Sequence, residues 1–194
     1  MKNIITFLFL ATLTSAQAQV IIGDAIGTAA VKTSVLLEFA AGKNKGIIVP
    51  YVRTLPTAAV ANQGTILLDA STATAARMKY SNGSAWVDLS GQDANVSTVM
   101  ATQPTATQSP ELSTAKTIIS DQTVTNSDAL AQGVLVLEST TKAMVLPTVG
   151  MILQGSVLKV NVPNPSPGMM VYVNTTGSKR LAVYNGSKWS FWKP

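Results

Sequence analysis

The chain has 194 residues, 46% of them hydrophobic and only 12% charged, with 14 Lys and Arg against 9 Asp and Glu. So few charges exclude charge-driven disorder for most of its length. The net charge of +5 is scattered, with no basic stripe to engage nucleic acid. With no Cys and no His, the chain has no disulfides, no thiolate nucleophile, no imidazole base and none of the usual zinc or haem ligands.

The N-terminus reads as a secretory signal. Lys2 supplies the positive region, and Ile4 to Leu13 is apolar apart from Thr6 and Thr12. Ala16-Gln17-Ala18 then places small residues where signal peptidase reads, so cleavage is expected after Ala18. The apolar stretch falls short of the ~20 residues of a membrane span, and no Cys follows it to carry a lipid. The expected location is outside the cell, or on the outer surface of a Gram-negative bacterium.

A repeat organises the rest. Val35-Leu36-Leu37-Glu38, followed by Lys45-Gly46-Ile47-Ile48-Val49-Pro50, returns as Leu135-Val136-Leu137-Glu138 and Lys142-Ala143-Met144-Val145-Leu146-Pro147. Gly64-Thr65-Ile66-Leu67-Leu68 returns as Gly168-Met169-Met170-Val171-Tyr172, and Asn82-Gly83-Ser84-Ala85-Trp86 as Asn185-Gly186-Ser187-Lys188-Trp189. Four landmarks recur in the same order at a spacing of about 100 residues, which makes two copies of one unit. The division is a signal at 1–18, a β module at 19–91, a linker at 92–129 and a second β module at 130–194.

Each unit reads as short strands, because apolar runs rich in Val, Ile and Leu are bounded by Gly, Pro, Asn and Ser. Pro50 and Pro147 close apolar strands, as residues that cannot donate to a ladder do. Asn82-Gly83 and Asn185-Gly186 predict type I′ hairpin turns. A further turn is expected at Asn174–Gly177. Leu181, Val183, Trp189 and Phe191 alternate as on a half-buried strand. Single helical turns are expected at most near Thr57–Asn62 and Ala129–Leu130. Ala94 to Pro110 has no charged residue and is dominated by Thr, Ala, Gln, Ser and Pro, so it is expected to be extended, or ordered only where neighbouring chains clasp it. The fold class is mainly β: two tandem small antiparallel β modules with hairpins, joined by an extended linker. A membrane barrel needs strands of ~9–11 residues, about twice the length of these runs.

Candidate chemistry is thin. Glu38 and Glu138 occupy one position of the two repeats, so they lack the unequal environments of an acid/base pair and are expected on a solvent-facing strand. Ser-x-x-Lys occurs at Ser113/Lys116, Ser139/Lys142, Ser156/Lys159 and Ser190/Lys193, without the accompanying motifs of serine acyl enzymes. Asp93, Asp121 and Asp128 lack the spacing of a calcium loop. Neither a metal nor a cofactor is expected. Trp86 and Trp189, after equivalent turns, are expected to cover a sheet face. Trp192 is out of phase with Trp189 and Phe191 and is expected to face outward, with Tyr80 and Tyr184 as further contact candidates.

The pattern Lys-Gly-x-x-x-Pro, then Gly-strand-turn-strand and Tyr184-Asn185-Gly186-Ser187-Lys188-Trp189, resembles the repeated β modules of secreted Bacteroidota surface proteins. It is also similar to modules of tail-fibre-like and adhesin-like proteins. The first copy departs by one inserted residue, Tyr80-Ser81-Asn82-Gly83. The basic residue that often follows the proline is displaced to Arg53 and is replaced by Thr148 in the second copy. The resemblance implies a non-enzymatic surface module that builds or decorates an extracellular assembly. The alternatives are a carbohydrate-binding module using exposed aromatics and, behind it, a cryptic hydrolase.

Self-association is expected on physical grounds. Units of this size bury only ~60% of their unfolded surface and are marginal without disulfides or metals. Gly46–Val49, Val134–Leu137 and Met144–Leu146 are apolar at consecutive positions, as in strands covered on both faces. Packing of one unit on the other could cover them, and so could identical chains; an extended linker would hold the units apart and favours identical chains. The expected partners are a homo-oligomer, a trimer by resemblance to fibre proteins, and other surface proteins or glycans.

Overall fold

In a computed structural model the described residues are 19–23, 29, 32–40, 42–57, 63–103, 117–120, 133–139 and 141–192. The signal, both expected helical turns beyond Thr57, Asp121, Asp128, the Ser113/Lys116 pair and the linker residues 104–116 and 121–132 lie outside them.

The first copy contains β1 (Val20–Ile22), β2 (Val35–Phe39), β3 (Ile47–Ile48), β4 (Tyr51–Val52), β5 (Ile66–Asp69), β6 (Arg77–Ser81) and β7 (Trp86–Asp88). A short helix, α1 (Ser97–Thr102), follows. The second copy contains β8 (Thr117–Ser120), β9 (Leu135–Glu138), β10 (Ala143–Val145), β11 (Thr148–Val149), β12 (Met151–Gln154), β13 (Val157–Val160), β14 (Met169–Val173), β15 (Arg180–Tyr184) and β16 (Trp189–Phe191). The protein is mainly β, and the repeat holds at the level of register. β1 runs parallel to β2 as β8 does to β9. β4 lies parallel to β5 with Tyr51 opposite Leu68, and β11 lies parallel to β14 with Thr148 opposite Tyr172. Antiparallel hairpins then complete the sheets β4-β5-β6-β7 and β11-β14-β15-β16. Each module is therefore mixed rather than purely antiparallel. In each copy the strand that follows the proline lies parallel to β5 or β14, on the edge opposite the antiparallel hairpin partner. The second copy inserts a hairpin, β12–β13, between its β11 and β14; among the described residues the first copy has none between β4 and β5.

The prolines switch the chain between sheets. Pro50 separates β3, which pairs with β14, from β4, which pairs with β5. Pro147 separates β10, which pairs with β2, from β11, which pairs with β14. Neither proline has an N–H to leave unpaired, and each still uses its carbonyl. Pro50 O accepts from Leu68 N at 2.8 Å and Pro147 O from Tyr172 N at 2.9 Å.

The turns differ from the expectation. Gly83 and Gly186 have φ of +91° and +98°, but Asn82 and Asn185 do not have positive φ, so the turns are not type I′. Each loop has four residues, and the asparagine carboxamide closes it. Asn82 Oδ1 accepts from Ser84 N and Ala85 N at 2.9 and 2.7 Å; Asn185 Oδ1 accepts from Ser187 N and Lys188 N at 2.9 and 2.8 Å. The Asn-Gly pair was the right signal for a turn. The side-chain hydrogen bonding of Asn, rather than its tolerance of positive φ, selected the geometry.

Two further expectations are corrected. Residues 92–103 are not an extended connector, because they fold onto the first copy. Ala94 bridges Ala76, and α1 buries Met100. Arg53 Nη2 donates to Met100 O and Gln103 O at the end of this helix, satisfying carbonyls that a helix C-terminus leaves open. Nor are the two copies held apart. One core contains Leu68, Met78, Ala94, Val96 and Met100 together with Met170 and Val183 of the second copy. A second core, Val149, Val160, Val162, Met169, Val171, Val173 and Ala182, fills the opposite face of the β14–β15 ladder. The apolar strands thus gain part of their cover within one chain.

Candidate assembly surface

Besides the shared core, two strand pairs join the copies among the described residues. β10 lies parallel to β2, with Met144 opposite Leu37 and Val145 opposite Glu38. β3 lies antiparallel to β14, with Ile48 opposite Met169 and Ile47 opposite Met170. The approach is close at Gly46, where a Cβ would come within 2.5 Å of Met169 Cγ. The Tyr51 hydroxyl donates to Pro167 O across the same contact, and burial pushes the Tyr51 phenol above its ordinary pKa.

Glu38 is fully buried, so the solvent-facing expectation fails for it. Its carboxylate accepts from Gln19 Nε2 at 2.9 Å and from Ala29 N at 2.6 Å. The shared repeat position pointed to a solvent-facing strand, but the first four residues of β2 are all buried, so both of its faces are covered, and β1 and β10 flank its edges. Glu138, at the same repeat position, is half-buried.

Apolar side chains remain exposed in specific places. Ile48 on β3 and Leu135 on β9 are 51% and 49% exposed, and Val134 beside β9 is exposed too. The β12–β13 hairpin exposes Ile152, Leu153, Val157 and Leu158, with Leu153 at 71%. Neighbouring exposed side chains of this kind mark interaction surfaces on folded proteins. A shallow cleft lined by Met144, Val145, Leu146, Thr148 and Tyr172 runs along the outer side of β10 and β11.

Residues 118–193 match the family model of the phage tail like trimerisation region. The match begins in β8 and ends beyond β16, so it spans the second copy and stops short of the first. That copy is similar to a structural module that forms trimers. No curated protein and no solved structure matches the chain.

The aromatic candidates fall on different sheets. Tyr184 packs on Trp189, ring centroids 5.2 Å apart, and both lie against the second core with Phe191. Arg180 sits over the Phe191 ring at 5.4 Å. Trp192 is 51% exposed, Tyr80 is half-buried on β6, and Trp86 is half-buried with its indole N–H donating to Pro56 O at 2.7 Å. These rings form no common platform. Ser139 Oγ accepts from Thr141 N and Lys142 N, which makes it a turn-closing hydroxyl. Asp93 pairs with Arg77 at 2.6 Å, and among the described residues no group of three or more acids gathers to hold a cation.

Sequence reasoning missed the interleaving of the copies. Its one visible signal was the consecutive apolar residues at Gly46–Val49 and Met144–Leu146, for which cover by identical chains was favoured over packing of one unit on the other.

Proposed function

We propose that the protein is a non-catalytic structural module that trimerises as part of a fibre-like extracellular assembly. The observation that carries this is the match of residues 118–193 to a trimerisation region. The exposed apolar residues on β3, β9 and the β12–β13 hairpin support it, being surface that a second chain can cover. Residues 1–18 direct secretion and are removed after Ala18, and the assembled protein displays or anchors partners at the cell surface. Sedimentation equilibrium of the purified protein at micromolar concentration tests the central claim. A mass of three chains is expected, and a concentration-independent monomer overturns it. The mass of the protein recovered from the culture exterior tests the signal: a chain starting at Gln19 is expected, and an intact Met1 overturns secretion by this route.

A further inference from the structure

We infer that neighbouring chains join head to tail, the second copy of one chain pairing with the first copy of the next, in the register already seen between the two copies within one chain. The inference rests on the trimeric reading and adds the interface, residue by residue.

The repeat makes the argument. Inside the chain, the first copy contributes β2 and β3, and the second copy contributes β10 and β14. By register, β9 is the counterpart of β2, β10 of β3, and β5 of β14. An equivalent contact one step further along needs an open β9 and β10 on the second copy and an open β3 and β5 on the first. Among the described residues all four edges are available. β9 pairs only with β8, β10 only with β2, and β3 only with β14; β4 flanks β5 at Leu68 and Asp69 but not at Ile66.

Burial agrees with this. In β2, with a neighbour on each edge, Val35, Leu36 and Leu37 are at most 5% exposed, whereas in β9 the equivalent Leu135 is 49% exposed. Ile48, which would lie beside β9, is the other half-exposed residue of the pair. The cleft agrees as well. In the first copy Tyr51 and Leu68 receive the Pro167–Gly168 turn, and a Cβ on Gly168 would lie 3.3 and 3.2 Å from them. Their counterparts, Thr148 and Tyr172, line the open cleft of the second copy. The counterpart of Gly168 is Gly64, which shares its positive φ (+86° against +74°) and has nothing within 4 Å of its Cβ position. An open socket on one end of the chain therefore matches an unoccupied turn at the other.

The register follows. β9 of one chain lies parallel to β3 of the next, with Leu137 opposite Ile47 and Glu138 opposite Ile48. β10 lies antiparallel to β5 of the same neighbour, with Met144 opposite Ile66. Such a contact is heterologous, and three repetitions close a ring of three chains.

The chain has no cysteine of its own, so engineered pairs report cleanly. Directly opposed strand residues lie within disulfide range. The variant Ile47→Cys/Leu137→Cys, oxidised and run without reductant, is expected to shift from one chain to a three-chain covalent species. Ile66→Cys/Met144→Cys tests the second strand pair independently, should the first variant fold poorly. Cross-links confined to a single chain overturn the head-to-tail register. So does a trimer by sedimentation that gives no cross-link in either variant. Cross-linking of Leu137→Cys/Met144→Cys instead, like copy to like copy, overturns it in favour of separate rings. A wild-type monomer overturns the trimeric reading itself.

Discussion

The two four-stranded sheets share topology and register, yet their outer faces carry opposite chemistry. In the first copy, β5, β6 and β7 present Asp69, Arg77, Lys79 and Asp88 on one face. Lys79 binds Asp69 at 2.8 Å, and Arg77 bridges Asp88 and Asp93 at 2.6 Å each. At the equivalent positions the second copy has Val173, Arg180, Ala182 and Phe191, and Val173 and Ala182 are fully buried. The difference is the β12–β13 insertion. Its Val160 and the following Val162 cover the Val171–Val173–Ala182 face, while in the first copy the described residues show no such hairpin and the equivalent face carries ion pairs. One backbone thus tolerates either an ion-paired face, with Asp69 buried and Asp88 partly exposed, or a dry apolar one. The dry face is the more sensitive to error, since a charge added among its fully buried residues is taken out of water.

The sharpest way to break this comparison is to write the first copy's carboxylate into the second. Val173→Asp puts a carboxylate at the fully buried counterpart of Asp69, where Ala182 replaces Lys79 and the only cation opposite, Arg180, is held over Phe191, at an expected cost of about 3–5 kcal/mol by urea denaturation. Next in size is Gly46→Ala, which gives the first copy the residue of the second, Ala143. The added Cβ meets Met169 at 2.5 Å, and the crowding is expected to cost about 1–3 kcal/mol in the same measurement.

Acid separates the faces without mutation. Burial alone would raise the Asp69 carboxyl, but hydrogen bonds from Lys79 and Ser71 outweigh it and hold the pKa below the ordinary value. Asp88 is likewise held down against burial by Ser90 and Arg77. The unfolded chain therefore takes up protons first. Stability is expected to be level above about pH 4 and to fall as the pH drops through the folded-state values. In a denaturation series from pH 7 to pH 3, Asp69→Asn should flatten part of that slope, and a slope unchanged in the variant would remove Asp69 from this account.

The turns give a smaller contrast. Asn185 is buried and also donates from Nδ2 to Asp93 O at 2.7 Å, whereas Asn82 is exposed and serves only its own loop. Asn185→Ala is expected to cost about 1–2 kcal/mol and Asn82→Ala about 1 kcal/mol, and equal losses would show that the cross-copy bond contributes nothing. Smallest of all, Trp192→Ala is expected to leave thermal stability within about 0.5 kcal/mol, because half the ring lies in solvent.

Much of the fold was legible from local chemistry. The landmark quartets placed the equivalent strands, and the Asn-Gly pairs placed the final hairpins, because strand alternation and turn chemistry act over a few residues. The helix at Ser97–Thr102 was not legible. It begins on Val96 with no side-chain cap, and it is held by burial of Met100 and by Arg53, more than forty residues away. Glu38 was misplaced for a similar reason, since its carboxylate is met by Gln19 and Ala29, 19 and 9 residues away in the chain.

By itself the sequence determined the repeat, the mainly β class, the prolines that end apolar strands and the positions of the turns, all consequences of steric and hydrogen-bonding preferences within a few residues. The tertiary structure alone decided that β3 pairs with β14 and β10 with β2, that residues 92–103 belong to the core, and that one sheet face is charged while its twin is dry. Those outcomes depend on edge-to-edge pairing between segments about a hundred residues apart. Nothing in the pattern of a short apolar strand names its partner, because every such strand offers the same unpaired backbone groups along its edges.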